Sequence, residues 1–180
     1  MENFNFFYKK GVELADLEMY DDALSCFEKA IELTSNQNEL SDVWTEKGYI
    51  MEKIKNFDMA INYQEKAIEF NPNNNDAWYM KGVVFGKICK SDEDPIHFKA
   101  VECYEKALSI KPNDSQALDN LAIQLYYLKN YERALECLDK SIAIDSNQVL
   151  PWFEKSRILK KIGRSEEAEK CLQTAKKKGL

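Results

Sequence analysis

Apolar residues recur along the chain with helical spacing, and the pattern itself returns after 34 residues. Trp44 and Trp78 are 34 residues apart, as are Gly48 and Gly82, Ala100 and Ala134, Ala134 and Ala168, and Leu118 and Trp152. In that register the chain divides at about 4–37, 41–74, 75–114, 115–148 and 149–180, and each segment carries two amphipathic helical patterns. The first begins near a bulky anchor (Phe7, Trp44, Trp78, Leu118, Trp152) with a small residue four places on: Gly11, Gly48, Gly82, Ala122 and Ser156. A step of four keeps anchor and small residue on one helix face. The second pattern carries Ala23, Ala60, Ala100, Ala134 and Ala168 and, seven residues later, Ala30, Ala67, Ala107, Ser141 and Ala175. Small residues at such positions allow two helix axes to approach closely, and the bulky anchors fill the space beside each crossing. Pro72 and Pro112 follow the last apolar-periodic residues, Phe70 and Ile110, so helices are expected to stop there.

The Trp-x3-Gly spacing resembles the tetratricopeptide repeat. So do the aromatic residue opening the second helix (Tyr20, Phe57, Tyr131), the alanine pair and the closing proline. The resemblance covers the whole chain in five in-register copies. It implies an all-α fold, a right-handed superhelix of about ten antiparallel helices in a single domain over residues 1–180. It also implies that the first helices line a concave groove that holds an extended peptide or a helix of another protein.

Two departures stand out. The family usually has Leu just before the small residue of the first helix, where this chain has Lys10, Lys47, Lys81 and Lys155, with only Leu121 conforming. A lysine there is expected to lay its aliphatic stem along the helix pair with its ammonium in water. The third repeat carries six extra residues between its helices, near 90–95, with Asp94 expected as the N-cap and Pro95 as the first residue of the restarted helix.

Charge sharpens this picture. The net charge of −6 argues against nonspecific nucleic-acid binding, which depends on cationic side chains. Residues 149–180 carry +5, leaving −11 on residues 1–148. No apolar run is long enough for a membrane span, and the amino terminus lacks the basic and apolar segments of a secretory signal, so a cytoplasmic location is expected.

Candidate chemistry is thin. Cys26, Cys103, Cys137 and Cys171 occupy one position of successive second helices, about 8–10 Å apart by helix packing, too far for disulfides or shared zinc ligation. They are expected as partly buried thiols. Cys89, Asp92, Glu93, Asp94 and His97 gather at the insertion and are expected as an acidic solvated loop rather than a metal site. With a single histidine there, no catalytic triad or Cys-His pair is assembled, and no glycine-rich loop cradles phosphate. A non-catalytic protein without cofactor or metal is expected.

By the resemblance, the residues after the anchor and after the small residue face the groove. The candidate partner-binding residues are therefore Tyr8, Val12, Tyr49, Tyr79, Val83, Ile123, Phe153 and Arg157, joined by Lys160 at the basic end. Thr45 and Asp119 occupy the same register. Apolar residues stand where the family often has Asn, so the groove is expected to be greasy, with a basic far end at Arg157, Lys160 and Lys161 suited to an acidic partner terminus. The Lys, Asn and Arg set of the family's carboxylate clamp for chaperone tails is absent from every three consecutive repeats. Lys176 and Lys178 replace the apolar residues of earlier second helices, which is expected to cap the carboxyl end of the array. Phe4, Phe6, Phe7 and Tyr8 have no earlier repeat to cover them, leaving internal packing or a homodimer contact, and with it a scaffold that stacks through its ends, as the alternatives.

Overall fold

The computed structural model describes residues 3–179, which form ten α-helices and no strand. They are α1 Phe4–Asp16, α2 Tyr20–Glu32, α3 Gln37–Lys53, α4 Phe57–Phe70, α5 Asn75–Ile88, α6 Ile96–Ile110, α7 Ser115–Tyr127, α8 Tyr131–Ile144, α9 Val149–Lys161 and α10 Ser165–Lys177. Helices α4 and α6 end on Phe70 and Ile110, before the prolines that cannot continue them. Asn3, Asn36, Asn56, Asp114 and Asn130 each accept backbone N–H bonds at a helix start.

Four helix pairs are closed by the same three-residue turn. Glu18, Lys55, Lys129 and Gly163 occupy equivalent places in it, with φ of 59°, 62°, 60° and 83°. The next residue's N–H bonds back to the carbonyl five residues earlier, as in Met19 to Leu14 (2.9 Å), Asn56 to Met51 (2.8 Å), Asn130 to Leu125 (2.9 Å) and Arg164 to Leu159 (2.9 Å). This left-handed cap reverses the chain within one residue of the helix end.

The third pair is joined by residues 89–95 instead. The Asp94 carboxylate accepts the N–H groups of Lys90 and Ile96, both at 3.0 Å. The helix starts at Ile96, one residue after the expected Pro95, which forms the turn before it. His97 is only 2% exposed. Its ring stacks on Tyr127 at 4.8 Å, with Nδ1 2.7 Å from Gln124 Oε1 and Nε2 3.1 Å from the Ser91 carbonyl. The expected solvated loop is thus confined to residues such as Asp92 and Glu93, while His97 is packed against α7.

The chain forms two compact units, Met1–Val84 and Phe85–Leu180. In the first, Phe27, Val43 and Ile50 are completely buried among α1 to α4. The second is built on Tyr104, Leu125, Leu138, Ile158 and Leu159, each at most 2% exposed. Each such side chain contributes about 1.5–3 kcal/mol of burial free energy. All ten small residues singled out in the second helices are buried, as are Cys26, Cys103, Cys137 and Cys171, which are free thiols.

Three of the four lysines in the leucine position, Lys47, Lys81 and Lys155, find a carboxylate partner, while Lys10 stays on the surface. Lys47, 3% exposed, pairs with Glu28 of the preceding second helix, and its Nζ lies 4.2 Å from the centre of the Trp44 ring. Lys81 reaches Glu65 at 2.8 Å, and Lys155 pairs with Asp139. In each case a first helix is tied to the repeat before it by a carboxylate partner. For Lys47, nearly fully buried beside the Trp44 ring, desolvation of the ammonium makes the pairing more than a surface contact, whereas the Glu65 and Asp139 carboxylates are more than half exposed.

Candidate functional site

The residues beside each anchor are positioned by the anchor itself. Once Phe7 and Gly11 are buried against Phe27, Tyr8 and Val12 fall at the margin of that contact and stay partly exposed. In the first unit Tyr49, Tyr79 and Val83 are likewise partly exposed, and in the second unit Ile123, Phe153 and Arg157 are. Lys160 is fully on the surface, beside a depression lined by Ser156, Ser165, Ala168, Glu169 and Leu172, so it flanks α10. Thr45 and Asp119 are buried, at 8% and 3% exposed.

Carboxylates share the face of the first unit and were not anticipated as part of it. The Tyr8 hydroxyl faces Glu46, and the charges of Asp16, Asp42 and Asp76 act on that carboxyl. Burial, followed by those like charges, pushes Glu46 up to about 7, against a small opposing effect of the Tyr8 hydroxyl. Asp42 is raised by burial and by Asp76 and Glu39. No lysine or arginine among the described residues lies within ion-pair distance of Asp16, Asp42, Glu46 or Asp76.

A carboxyl whose folded-state affinity for the proton is raised takes up its proton more readily in the folded chain, so stability falls as pH rises from about 4.5 through about 7. Glu46→Gln should therefore match the parent near pH 4 and exceed it at pH 8 by on the order of 1–3 kcal/mol, allowing for partial solvation of the group. Urea unfolding at the two pH values checks this, and a variant less stable than the parent at pH 8 contradicts it.

The second unit repeats the geometry with different chemistry. Glu154 stands in its repeat where Glu46 stands in the second, and Asp119 where Tyr8 stands in the first. Glu154 is 7% exposed, and its charge acts on Asp119. Burial first, and Glu154 second, push Asp119 up to about 6, while the Ser141 hydroxyl on α8 offsets part of this. Glu154 is raised by burial and lowered by Arg157, whose Nη2 lies 2.8 Å from its Oε2. The Arg157 guanidinium also covers the Tyr126 ring at 4.3 Å. Of the cations at this end, Arg157 is thus paired within the chain, while Lys160 and Lys161 are exposed.

The aromatic amino end packs largely on itself. Phe4 stacks on Tyr8 at 5.6 Å, Phe7 is 8% exposed and edge-on to Phe6 at 5.2 Å, and Phe6 alone of these is 45% exposed. No described helix is long and apolar enough to cross a membrane.

Comparison with known proteins places these features in a lineage. One sequence model of the tetratricopeptide repeat matches residues 115–148, and a second matches 4–37, 41–74, 99–114 and 151–177. The stretch 75–98, which contains the insertion, is matched by neither. A TPR repeat-containing protein of Methanocaldococcus jannaschii is 36% identical over 86 residues, 48% of this chain and 15% of that protein. Anaphase-promoting complex subunit 3 of Schizosaccharomyces pombe is 29% identical over 84 residues, 47% of this chain and 12% of that protein. This chain therefore matches only a small part of the curated relatives. Among solved structures, MamA from Desulfovibrio magneticus shares the fold with a TM-score of 0.81 at 15% identity, over 98% of this chain and 95% of that one. YrrB, described as a TPR protein with an unusual peptide-binding site, gives 0.76 at 19% identity over 96% and 84%. With repeat models matched over most of its length and an all-α architecture shared with these solenoids, the chain belongs to the tetratricopeptide-repeat family.

Proposed function

We propose that the chain is a non-catalytic adaptor that holds a peptide or helix of a partner protein on the faces of its first helices. The observation that carries this is the alternation within each unit between buried packing residues and partly exposed aromatic or aliphatic ones one position on. Gly11 and Gly48 are buried while Val12 and Tyr49 are not, and Ala122 is buried while Ile123 is not. Rigid aromatic and aliphatic groups so presented are the usual anchors of a peptide groove. The peptide-binding site named for YrrB lends the same reading support at the level of fold. Tyr8, Val12, Tyr49, Tyr79 and Val83 would form the anchor set of the first unit, and Ile123, Phe153, Arg157 and Lys160 that of the second.

The double substitution Tyr49→Ala with Ile123→Ala should leave helix content unchanged by circular dichroism and abolish partner capture in pull-downs from the native host. A surface control on a second helix, Glu102→Ala, should capture normally. Equal recovery by all three proteins rejects the groove. Exposed Phe6 favours a second reading, a scaffold that self-associates through its amino-terminal end, and sedimentation at two concentrations separates it from a monomer.

A further inference from the structure

We infer that the outer face of α1 pairs with the same face of a second copy of the chain. The two helices lie antiparallel about a two-fold axis, with Phe6 of each against Leu17 of the other and Lys10 of each against Glu13 of the other. The inference rests on the second reading above, self-association through the amino-terminal end, and adds the seam that makes it.

The face is defined by comparison with the other repeats. Phe6, Lys10 and Glu13 of α1 and Leu17 at its end follow one another at steps of four, three and four residues, so they form one stripe along the helix, and all four are exposed. The stripe is turned away from the buried Phe7, Gly11 and Ala15, and among the described residues α1 packs only on α2 and α3. At the place of Phe6 the other first helices carry Val43, Ala77, Ala117 and Pro151, all fully buried. At the place of Glu13 they carry Ile50, Val84, Gln124 and Ile158, each at most 6% exposed. Elsewhere in the chain these positions are covered, whereas α1 leaves them open.

The stripe is apolar at both ends and charged in the middle. The Phe6 N–H donates to Asn3 Oδ1 at 3.1 Å, and the Phe6 ring stands edge-on to Phe7 at 5.2 Å, so the ring is held in place although 45% exposed. Leu17, at the other end, is 69% exposed. Lys10 occupies the place from which Lys47, Lys81 and Lys155 each reach a carboxylate on the preceding second helix. Neither Lys10 nor Glu13 has an ion-pair partner among the described residues.

A two-fold axis answers both needs from the same four residues. Antiparallel copies bring the first residue of the stripe opposite the last and the second opposite the third, so a single register joins apolar to apolar at both ends and cation to anion twice between them. A parallel pairing would set Lys10 on Lys10, and a slip of one turn would set Phe6 on Glu13, leaving charges unpaired in the contact. A second helix of the repeat type seated on this face would meet Glu13 where the other repeats offer Ile50, Val84 and Ile158, so the charge pattern works against that occupant. A 13-residue helix is about 20 Å long, which makes the seam small and the dimer of the weak, concentration-dependent class.

The test uses the full chain in sedimentation equilibrium at low and high micromolar concentrations, with helix content of every variant checked by circular dichroism. The parent should show a monomer–dimer equilibrium without larger species. Lys10→Glu and Glu13→Lys should each raise the dimer Kd at least about tenfold, because each sets like charges against each other twice, and Phe6→Ser should do the same. An equimolar mixture of K10E and E13K should dimerise as the parent does, since every facing pair is again of opposite charge. Equal dimerisation by the parent and all three variants, or a mixture that fails to recover, overturns the α1 seam and leaves self-association to another surface. Assemblies that grow beyond two overturn the two-fold pairing in favour of stacking head to tail. A parent that stays monomeric throughout overturns the seam and the scaffold reading together. A monomeric parent that captures another protein from its host, with capture lost in F6S, gives the face to a foreign partner and equally overturns self-pairing.

Discussion

Phe27→Ala is expected to destabilise the first unit by about 3–5 kcal/mol, enough to remove a large part of the stability of an ordinary domain. Phe27 is completely buried, and its ring fills the space beside Gly11, 6.1 Å from the Tyr8 ring by centroids. Truncation removes the transfer free energy of the ring and leaves a cavity between α1 and α2, whose turn at Leu17–Met19 is too short to let them close up. Urea unfolding followed by tryptophan fluorescence should report the loss. Trp44 and Trp78 lie in the first unit and Trp152 in the second, so a Trp152→Phe background isolates the affected signal. A loss below about 1 kcal/mol would mean that Phe27 is not packed in this way.

Gly11→Ala should destabilise as well, by about 1–3 kcal/mol, although alanine is favoured over glycine in a helix by about 1 kcal/mol. A Cβ at this position would lie 2.6 Å from Cε1 and 2.8 Å from Cδ1 of Phe27, distances at which a rigid aromatic ring has to move. The ring is fully enclosed and has nowhere to go. The sign should reverse when the obstacle is removed: in a Phe27→Ala background, Gly11→Ala should stabilise, because the added methyl enters the cavity and the propensity gain is no longer opposed. A double-mutant cycle measures both signs, and additivity of the two substitutions would refute the contact. Gly48 offers an instructive contrast. Its Cβ would meet Gln64 Nε2 at 2.3 Å, but that atom is the end of a flexible chain, held by one bond to the Thr45 carbonyl at 3.1 Å.

The repeat register, the helix pairs and the buried alanine stripe were legible because each rests on side-chain size at fixed spacing, and size is written in the sequence. Ala23 through Ala168 and Ala30 through Ala175 mark the crossings directly. The interhelical turns were not legible. Three of the four left-handed positions carry Glu18, Lys55 and Lys129, which have none of the preference of Gly or Asn for that conformation; only Gly163 announces it. The tertiary fit of the helix pair imposes the conformation there.

The first-helix lysines were legible as departures but not as ion pairs, since the partners Glu28, Glu65 and Asp139 lie on a neighbouring repeat. The same holds for the candidate faces. Register alone brought out Tyr8, Tyr49 and Ile123, whereas Glu46 and Glu154, one position further from their anchors, come together with Tyr8 and Asp119 only through the stacking of one first helix on the next. A like-for-like comparison of equivalent positions would have found them: Asp119 is an acid where the second repeat has Thr45, and Ser141 a hydroxyl where it has Ala67.

Each of Lys47, Lys81 and Lys155 selects its neighbour on one side only. Glu105 stands sixteen residues before Leu121, as Glu65 stands before Lys81 and Asp139 before Lys155. Facing a leucine, Glu105 turns to Arg133 instead. The order of the repeats is therefore chemically encoded. A shuffled array that placed Leu121 after Glu65, or Lys155 after a repeat without an acid at that place, would lose an ion pair at the new seam, so the modules carry a preference for their neighbours as well as a common shape.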